Sequence, residues 1–331
     1  MMPINNKSVL ITGGTGSFGQ KFTEIALRDY HPEKVIVLSR DELKQFDMQQ
    51  KLAHHTNIRF FLGDVRDRDR LYRAFKDVDI VIHAAALKQI PAAEYNPFEF
   101  IKTNIIGAQN IIEAAIDCGV KKVLALSTDK AANPINLYGA TKLCSDKLFV
   151  AGNSYVGERD TNFSVVRYGN VVGSRGSVIP FFLEQRKNGK VPITDPRMTR
   201  FWITLEQGVQ FVLKSLKRMS RGEIFVPKLP SMKVTDLAKA IVPECEHEIV
   251  GIRPGEKLHE VMISEEDARV SVEYDDHFVI TPQFSWWRRD NCIDGKPLPD
   301  GFVYSSERND WWLNEEEIIQ LISNSMPEVV I

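Results

Sequence analysis

Four consecutive residues bring hydroxyl, carboxyl and amine groups together at one point of the chain: Ser127, Thr128, Asp129 and Lys130. The apolar run over residues 123–126 before them predicts a buried parallel strand, so these residues emerge at its carboxyl end. In an open α/β sheet, ligands bind at that end of the strands. Side chains of these types can move protons to and from a bound substrate.

Tyr138 and Lys142 follow, and the turn signals Pro134 and Asn136 predict that both lie on a helix. Residues four apart share one face of a helix. A nearby ammonium favours the phenolate, so this pair can make the tyrosine a base near neutral pH. The alternative is a surface Tyr and Lys on an amphipathic helix. A nicotinamide cofactor site earlier in the chain would favour the catalytic interpretation.

A glycine-rich turn near the amino end predicts that cofactor site. Residues 8–12 form an apolar strand, and a helical pattern runs from the turn to about Asp29. Its glycines allow a tight turn, close approach of the backbone to a pyrophosphate, and packing of helix on strand. The free N–H groups of the helix N-terminus suit the phosphates. We expect these residues to bind the cofactor: Gly13, Gly16, Ser17, Phe18 and Gly19.

The end of the second strand, residues 34–38, indicates which dinucleotide binds. NAD-specific folds usually place an acidic residue there to hold the ribose 2′-hydroxyl. Here Ser39 supplies a hydroxyl, and the cations Arg40 and Lys44 suit a 2′-phosphate. The sequence therefore favours NADP, while Asp41 keeps NAD as an alternative. Solvated surface charge is the other interpretation of the two cations.

Later strand ends supply further cofactor contacts. After the third strand, residues 57–62, Asp64 can hydrogen-bond the adenine amino group and Val65 can flank the ring. Beyond the fourth strand, Lys88 can reach the nicotinamide ribose or a sugar phosphate. Small side chains before it let a ribose approach closely. The expected contacts are completed by Ala84, Ala85, Ala86, Tyr168 and Val171.

These sites require an α/β architecture. Four strand–helix units and a fifth strand at Val123 predict a Rossmann-like, doubly wound parallel sheet. We expect residues 1–170 to form the dinucleotide-binding domain, with later strands returning to it. Residues 171–331 hold too few such units for a second domain of this kind. They predict a smaller substrate-binding cap interleaved with the first domain.

Composition excludes several classes of function. The 331 residues are 43% hydrophobic and 26% charged, as in an ordinary globular protein. A net charge of −2 gives no indication of nucleic-acid or membrane-surface binding. No apolar run reaches the roughly 18 residues of a membrane span. The cysteines form no Cys-x-x-Cys pair, which predicts a cytoplasmic protein without a metal site; they are Cys118, Cys144, Cys245 and Cys292.

The glycine-rich turn and the Tyr-x-x-x-Lys pair about 120 residues later resemble the extended short-chain dehydrogenase/reductase family. The resemblance implies that Tyr138 is the base, and that Lys142 lowers its pKa and binds the nicotinamide ribose. Members of this family are commonly dimers or higher assemblies, which implies a homo-oligomer.

Extended members of the family commonly act on nucleotide-diphosphate sugars, which implies a UDP-sugar site. Arg200 and Arg253 offer cations for a diphosphate, with surface ion pairing as the alternative for each. Glu256 can accept a pair of ribose hydroxyls, and Asn170 fits the family's substrate-binding asparagine. The expected substrate contacts are Lys88, Thr103, Lys130, Asn170, Val178, Ile193, Arg200, Arg253 and Glu256.

The Asp129–Lys130 pair narrows the resemblance, since it is similar to the inverting UDP-N-acetylglucosamine 4,6-dehydratases. Dehydratases that retain the C5 configuration typically carry Asp-Glu at this point. Strings over residues 39–44, 84–89, 167–177 and 251–257 also match that group, whereas residues 275–308 match only loosely. The implied role is an early step toward a pseudaminic-acid-like or related deoxysugar.

The implied reaction uses tightly bound NADP that is regenerated in each turnover. Tyr138 takes the O4 proton while C4 is oxidised, and Lys130 removes the acidified C5 proton if its neighbours leave it neutral. Asp129, if protonated, donates to the departing C6 hydroxyl, and Thr128 orients O4. Hydride returns to C6, and C5 is reprotonated on the opposite face, giving a UDP-2-acetamido-2,6-dideoxy-L-arabino-hexos-4-ulose.

Two alternatives stay open. One is a UDP-sugar 4-epimerase or a C5-retaining 4,6-dehydratase, which Lys130 disfavours. The other is an NADP-sensing regulatory protein. Such proteins typically lose the Tyr/Lys pair, so Tyr138 and Lys142 argue against it. The sequence leaves open whether Lys130 acts on both faces of C5.

Overall fold

The fold is built around a sheet of mainly parallel strands. The computed structural model describes residues 2–174, 176–285, 287 and 294–326, so Arg175 and Cys292 lie outside the described residues. The strands are β1 (Ser8–Thr12), β2 (Lys34–Ser39), β3 (Ile58–Leu62), β4 (Ile80–His83), β5 (Lys122–Thr128), β6 (Asn162–Tyr168), β7 (Asn170–Val171), β8 (Lys190–Ile193), β9 (Thr199–Ile203), β10 (Ile224–Pro227), β11 (Ser231–Lys233), β12 (Glu246–Ile249), β13 (Val261–Ile263), β14 (Ser271–Glu273), β15 (His277–Ile280), β16 (Lys296–Pro297) and β17 (Tyr304–Ser305).

Helices connect the parallel strands. The α-helices are α1 (Ser17–Asp29), α2 (Glu42–Lys51), α3 (Arg68–Ala74), α4 (Ile90–Tyr95), α5 (Pro97–Phe100), α6 (Gly107–Cys118), α7 (Leu137–Gly152), α8 (Val178–Gln185), α9 (Leu205–Arg218), α10 (Val234–Ile241), α11 (Glu265–Ala268) and α12 (Glu315–Ser325). A π-helix, Ile101–Ile106, precedes α6, and short 3-10 turns span Asp129–Ala131 and Arg186–Asn188. Within the described ranges, no helix has the length and apolar character to cross a membrane.

One sheet organises these elements, in the order β3-β2-β1-β4-β5-β6-β10-β15-β14-β16. Neighbours from β3 to β10 pair in parallel, and β15, β14 and β16 join antiparallel at one edge. The strand order reverses between β1 and β4, and a ligand crevice forms at such a switch point. The predicted doubly wound α/β fold is confirmed.

The strands form where the chain has short apolar runs. Every residue of β1 is buried, and β5 is buried except at its two ends. Strands covered by helices on both faces read as near-continuous hydrophobic runs, which is why the sequence reveals them. Because neighbouring strands pair in parallel, the carboxyl ends of β1, β4, β5 and β6 lie side by side.

A second hydrophobic cluster lies outside the main core. Its buried members all follow residue 171 and include Val172, Ile179, Phe182, Trp202, Ile241, Ile318 and Ile322. Meanwhile β10 and β15 lie after residue 171 and pair within the large sheet. The division of the chain into two domains at residue 170 stays a prediction.

Candidate active site

A cavity of about 920 Å³ lies at the carboxyl ends of the parallel strands. Pockets for small ligands usually measure about 300–1,000 Å³, so this one is at the large end of that range. Most of the residues that the sequence singles out line it: Gly13, Gly16, Ser17, Phe18, Gly19, Ala84, Ala86, Lys88, Thr128, Lys130, Tyr138, Lys142, Tyr168, Asn170, Val171, Val178, Arg200, Arg253 and Glu256.

The glycine-rich turn has the shape that a dinucleotide needs. Gly13 has a left-handed φ of 64°, and a Cβ added there would lie 2.9 Å from Ala85 Cα. Only glycine therefore lets β1 turn this close to the end of β4. Helix α1 begins directly after Gly16, which has no side chain to cap it, and its first residues line the cavity. A pyrophosphate fits such a helix N-terminus.

The residues predicted to bind the 2′ position lie outside the cavity lining, at the end of β2 and the start of α2. Ser39 is buried, and its hydroxyl accepts hydrogen bonds from Thr15 Oγ1 at 3.1 Å and Gln45 Nε2 at 3.1 Å. Lys44 pairs with Asp41, whose side chain also caps α2. These contacts fix the end of β2 next to the glycine-rich turn.

Asp64, the predicted adenine contact, lies between two guanidinium groups. Its carboxylate is 3.5 Å from Arg40 Nη1 and 2.7 Å from Arg66 Nη2. Burial alone would raise the pKa of Asp64, but its bonds to Arg66 and the charge of Arg40 lower it. Val65 is buried, and its carbonyl accepts a hydrogen bond from Asn110 Nδ2 at 3.0 Å. Asp64 is therefore a charged acceptor at this edge.

Lys130 lies among three acceptor oxygens. Its Nζ is 3.0 Å from Asp129 Oδ1, 3.2 Å from Glu260 Oε1 and 3.4 Å from Asn170 Oδ1. An ammonium has three N–H donors, so each can find an acceptor. The turn Asp129–Ala131 places the cluster where β5 ends. Asp129 is fully buried and does not line the cavity, whereas Lys130 and Glu260 do.

The charges of this cluster set its proton distribution. Burial alone would lower the pKa of Lys130, but Asp129 and Glu260 outweigh burial and raise it. Burial raises the pKa of Asp129 despite the opposing charge of Lys130. For Glu260 the cations Lys130 and Arg200 outweigh burial and lower the pKa. The sequence predicts that Lys130 acts as a base if its neighbours leave the amine neutral. In the structure, Asp129 and Glu260 instead favour the ammonium form.

Tyr138 lies beside this cluster on α7. Burial raises its pKa to about 12, although the charge of Lys130 and a hydrogen bond with Thr128 act in the opposite direction. Lys142 Nζ donates to the Leu126 carbonyl at 2.8 Å, and burial lowers the Lys142 pKa. Lys130 is therefore a cation that favours the Tyr138 phenolate, and the predicted effect of Lys142 on that pKa stays a prediction.

Two residues predicted to contact the substrate, Ile193 and Thr103, lie outside the cavity lining. Ile193 is fully buried in the second hydrophobic cluster. Its neighbours Pro192 and Thr194 line the cavity instead, because side chains along a strand alternate between faces. Thr103 is buried within the π-helix and does not line the cavity, and its hydroxyl has no hydrogen-bond partner among the described residues. The π-helix shifts the faces on which side chains of this segment lie relative to a regular α-helix.

The predicted diphosphate cations differ in their surroundings. Arg200 donates to the backbone carbonyls of Thr199 at 2.7 Å, Lys257 at 3.0 Å and Leu258 at 3.1 Å. Its guanidinium therefore ties β9 to the turn that contains Lys257. Arg253, in contrast, has a side chain that is 54% exposed. Arg253 is the more accessible of the two to an anionic ligand.

Glu256 and Lys88, which the sequence predicts to contact the substrate, both line the cavity. Glu256 lines the cavity near Arg253, at 4.0 Å between the closest charged atoms. Its Oε2 is buried and has no hydrogen-bond partner among the described residues. Burial and the charge of Lys130 lower the pKa of Lys88. Carboxylate and ammonium groups thus line the same space.

Helix α7 is fixed to the turn before β13. Asn136 caps α7 by accepting from Gly139 N at 2.7 Å, and its Nδ2 donates to the Gly255 carbonyl at 2.7 Å. Lys257 Nζ donates to the Ala132 carbonyl at 2.6 Å. These bonds bring residues 251–257 against the turn Asp129–Ala131, which we call the catalytic turn.

Glu260 and Lys257 also line the cavity, although neither is among the site residues predicted from the sequence. The sequence marks them only by position. Lys257 is the last residue of the polar run that begins at Gly251, and Glu260 directly precedes the apolar strand β13. No spacing rule joins them to Lys130.

The fold and the site together define an enzyme of the extended short-chain dehydrogenase/reductase class, as the sequence predicts. The family described as polysaccharide biosynthesis protein matches residues 9–282, and the chain belongs to it. Over 330 residues the chain is 55% identical to UDP-N-acetylglucosamine 4,6-dehydratase (inverting) of Campylobacter jejuni, covering 97% of this chain and 98% of that protein. It is 43% identical to a UDP-glucose 4-epimerase of Rickettsia akari over 79% of each chain. The structure of Pen from Bacillus thuringiensis is similar, with a TM-score of 0.90, 36% identity and 99% of each chain covered.

Proposed function

We propose that this enzyme is a C5-inverting UDP-N-acetylglucosamine 4,6-dehydratase that uses NADP. The observation that carries the proposal is the hydrogen bond of 3.0 Å between Lys130 Nζ and Asp129 Oδ1, beside Tyr138 in one cavity. An elimination across C5 and C6 needs a base and an acid at the same time, and this bond joins one candidate for each. The relative from Campylobacter jejuni, whose name states this activity, supports it.

The glycine-rich turn and the strand ends would hold the cofactor, with Gly13 and the N-terminus of α1 at its pyrophosphate. When bound, the nicotinamide supplies hydride acceptance from C4 and hydride return to C6. Tyr138 accepts the O4 proton, which the cation of Lys130 makes easier by favouring the phenolate. Lys142, held by Leu126, and Tyr168 shape the adjacent wall of the cavity.

A proton shift within the cluster prepares the elimination. Lys130 passes one proton to Asp129 across their hydrogen bond, which leaves a neutral amine and a carboxylic acid. The amine then takes the C5 proton. The buried Asp129 reaches the departing C6 hydroxyl through Thr128, whose Oγ1 lies 2.9 Å from Asp129 Oδ1. Water leaves with that proton, and the ammonium and carboxylate are restored.

The principal competing activity is 4-epimerisation, and the relative from Rickettsia akari carries that name. A 4-epimerase needs to oxidise and reduce C4 only, so it has no use for a base at C5. The placement of Lys130 in the cavity and the higher identity to the dehydratase favour elimination. The cytoplasmic location, the homo-oligomer and the deoxysugar pathway stay predictions.

Incubation with UDP-N-acetylglucosamine in heavy water, followed by NMR, tests the proposal. We expect loss of water, a new C6 methyl group, deuterium at C5 and an L-configured product. Deuterium with retention at C5 would contradict the stereochemical part alone. Appearance of the C4 epimer without a methyl group would instead establish the epimerase.

The cofactor preference gives a second prediction. Replacing Arg40 by alanine should weaken NADP⁺ binding about tenfold while changing NAD⁺ binding little, because a charge-assisted bond to the 2′-phosphate is lost. Titration calorimetry with both dinucleotides measures this difference. Arg28→Ala is a matched control, since Arg28 is an exposed arginine that pairs with Asp29. Equal weakening of both dinucleotides would show that Arg40 makes no 2′-phosphate contact.

A further inference from the structure

Glu260 reaches the Lys130 cluster from a distant part of the chain. It stands immediately before β13, and its backbone is fixed on both sides by Ser306. The Glu260 amide donates to Ser306 Oγ at 3.0 Å, and the Ser306 amide donates to the Glu260 carbonyl at 2.8 Å. Its side chain is only 2% exposed yet lines the cavity. A carboxylate this deeply buried is costly unless it is paired.

Two cations pair with that carboxylate through a single oxygen. Glu260 Oε1 is 3.2 Å from Lys130 Nζ and 3.6 Å from Arg200 Nε. Its Oε2 is buried and has no hydrogen-bond partner in the described part of the chain. The backbone bonds of Arg200 keep that guanidinium in place. The second cation therefore fixes where Oε1 stands relative to Lys130.

The proton count of Lys130 shows why a fixed acceptor matters. As an ammonium it has three N–H donors, but as a neutral amine it has two and one lone pair. The amine must therefore release one of its three acceptors before it can take a proton. Asp129 is the one that receives the shifted proton. Burial alone would raise the pKa of Glu260, but the charges of Lys130, Arg200 and Lys257 outweigh burial and keep its carboxylate ionised.

We propose that Glu260 is a positioning residue: it keeps one N–H of Lys130 bound, so that the lone pair of the neutral amine points toward the C5 proton. The inference rests on the proposed function. A base whose orientation is set by a third group is the general arrangement of activated side chains in enzymes. Here Asp129 exchanges a proton with Lys130, and Glu260 fixes the orientation of the Lys130 amine.

Isotope effects with UDP-N-acetylglucosamine deuterated at C4 or at C5 test this role in a Glu260→Gln variant. We expect kcat to fall about 30-fold with little change in KM, by analogy with the loss of about 10- to 100-fold when a residue that orients a metal ligand is replaced. Because only the C5 step is impaired, the isotope effect at C5 should grow and that at C4 should shrink. A merely structural disturbance would slow both steps and leave the isotope effects unchanged.

Two variants complete the test. Glu307→Gln is the matched control: Glu307 pairs with His259 at 3.1 Å next to Glu260, and its side chain is 43% exposed. It should behave as the unaltered enzyme. Glu260→Asp keeps the charge and should restore part of kcat; if Glu260→Gln does not fold, the isotope effects of Glu260→Asp decide.

Three outcomes would overturn the inference. The first is unchanged kcat in Glu260→Gln, and the second is a loss of kcat with unchanged isotope effects. The third is failure of the unaltered enzyme to convert the sugar, which would overturn the proposed function and this inference with it. The first two leave the proposed function intact, so the two failures are distinguishable.

Discussion

Replacing Lys130 by glutamine should lower kcat for sugar dehydration by about 1,000-fold or more, because general base catalysis contributes about 10²–10⁴-fold to such steps. The glutamine amide keeps N–H donors for Asp129 and Glu260, so neither carboxylate is left without a partner. It has no basic amine, however. Removal of the C5 proton should therefore fail. Oxidation at C4 should continue, but more slowly, because the charge that favours the Tyr138 phenolate is lost as well.

Two measurements separate those steps. Deuterium incorporation at C5 in heavy water should disappear from the Lys130→Gln variant. Addition of the sugar should still reduce the bound cofactor, which is visible in its near-ultraviolet absorbance. A Tyr138→Phe variant, which lacks the base at O4, should lose both signals. The exposed Lys147 on α7 provides the control, and Lys147→Gln should keep both.

Retained C5 exchange in the Lys130→Gln variant would show that another group removes that proton. Glu260 would then be the first residue to consider, since it lines the same cavity. Retained exchange together with a retained C6 methyl product would contradict the proposed role of the Lys130–Asp129 pair altogether.

The sequence alone predicts those parts of the fold and the site that are set by residues close together in the chain. The apolar run of β1 and the glycines after it belong to one short segment, so their pattern is visible without a structure. The same holds for Asp129 and Lys130, which are adjacent, and for Tyr138, which is eight residues further on. In each case a local strand or helix sets the direction of the side chain, and simple periodicity is enough.

Long-range packing decides what the sequence does not reveal. Glu260 meets Lys130 only because β13 and residues 251–257 fold back on the turn after β5, through bonds such as Lys257 to the Ala132 carbonyl. The ionic state of Lys130 depends on that contact and is invisible from its own segment. Ile193 lies outside the cavity lining for a more local reason, since side chains one residue apart in a strand face opposite sides of the sheet.

Helix α7 can approach the catalytic turn this closely only because residue 139 has no Cβ, and the variant Gly139→Ala tests this requirement. A Cβ at position 139 would lie 2.2 Å from the Lys130 carbonyl oxygen and 3.0 Å from Pro134 Cβ. Backbone atoms cannot rotate away, so α7 or the turn must move by about 1 Å. A misplacement of that size costs about 100-fold in rate. Overpacking should also lower the free energy of unfolding by about 1–3 kcal/mol.

Gly208→Ala on α9 is the matched control, because the nearest atoms to a Cβ there lie 4.0 Å away. It should keep full activity and raise the free energy of unfolding by roughly 0.5–1 kcal/mol, since alanine favours a helix interior. Steady-state kinetics and denaturant unfolding of both variants make the comparison. Full activity in Gly139→Ala would mean that the turn carrying Lys130 adapts without cost, so the close contact with α7 would not be what places Lys130 and Tyr138 together.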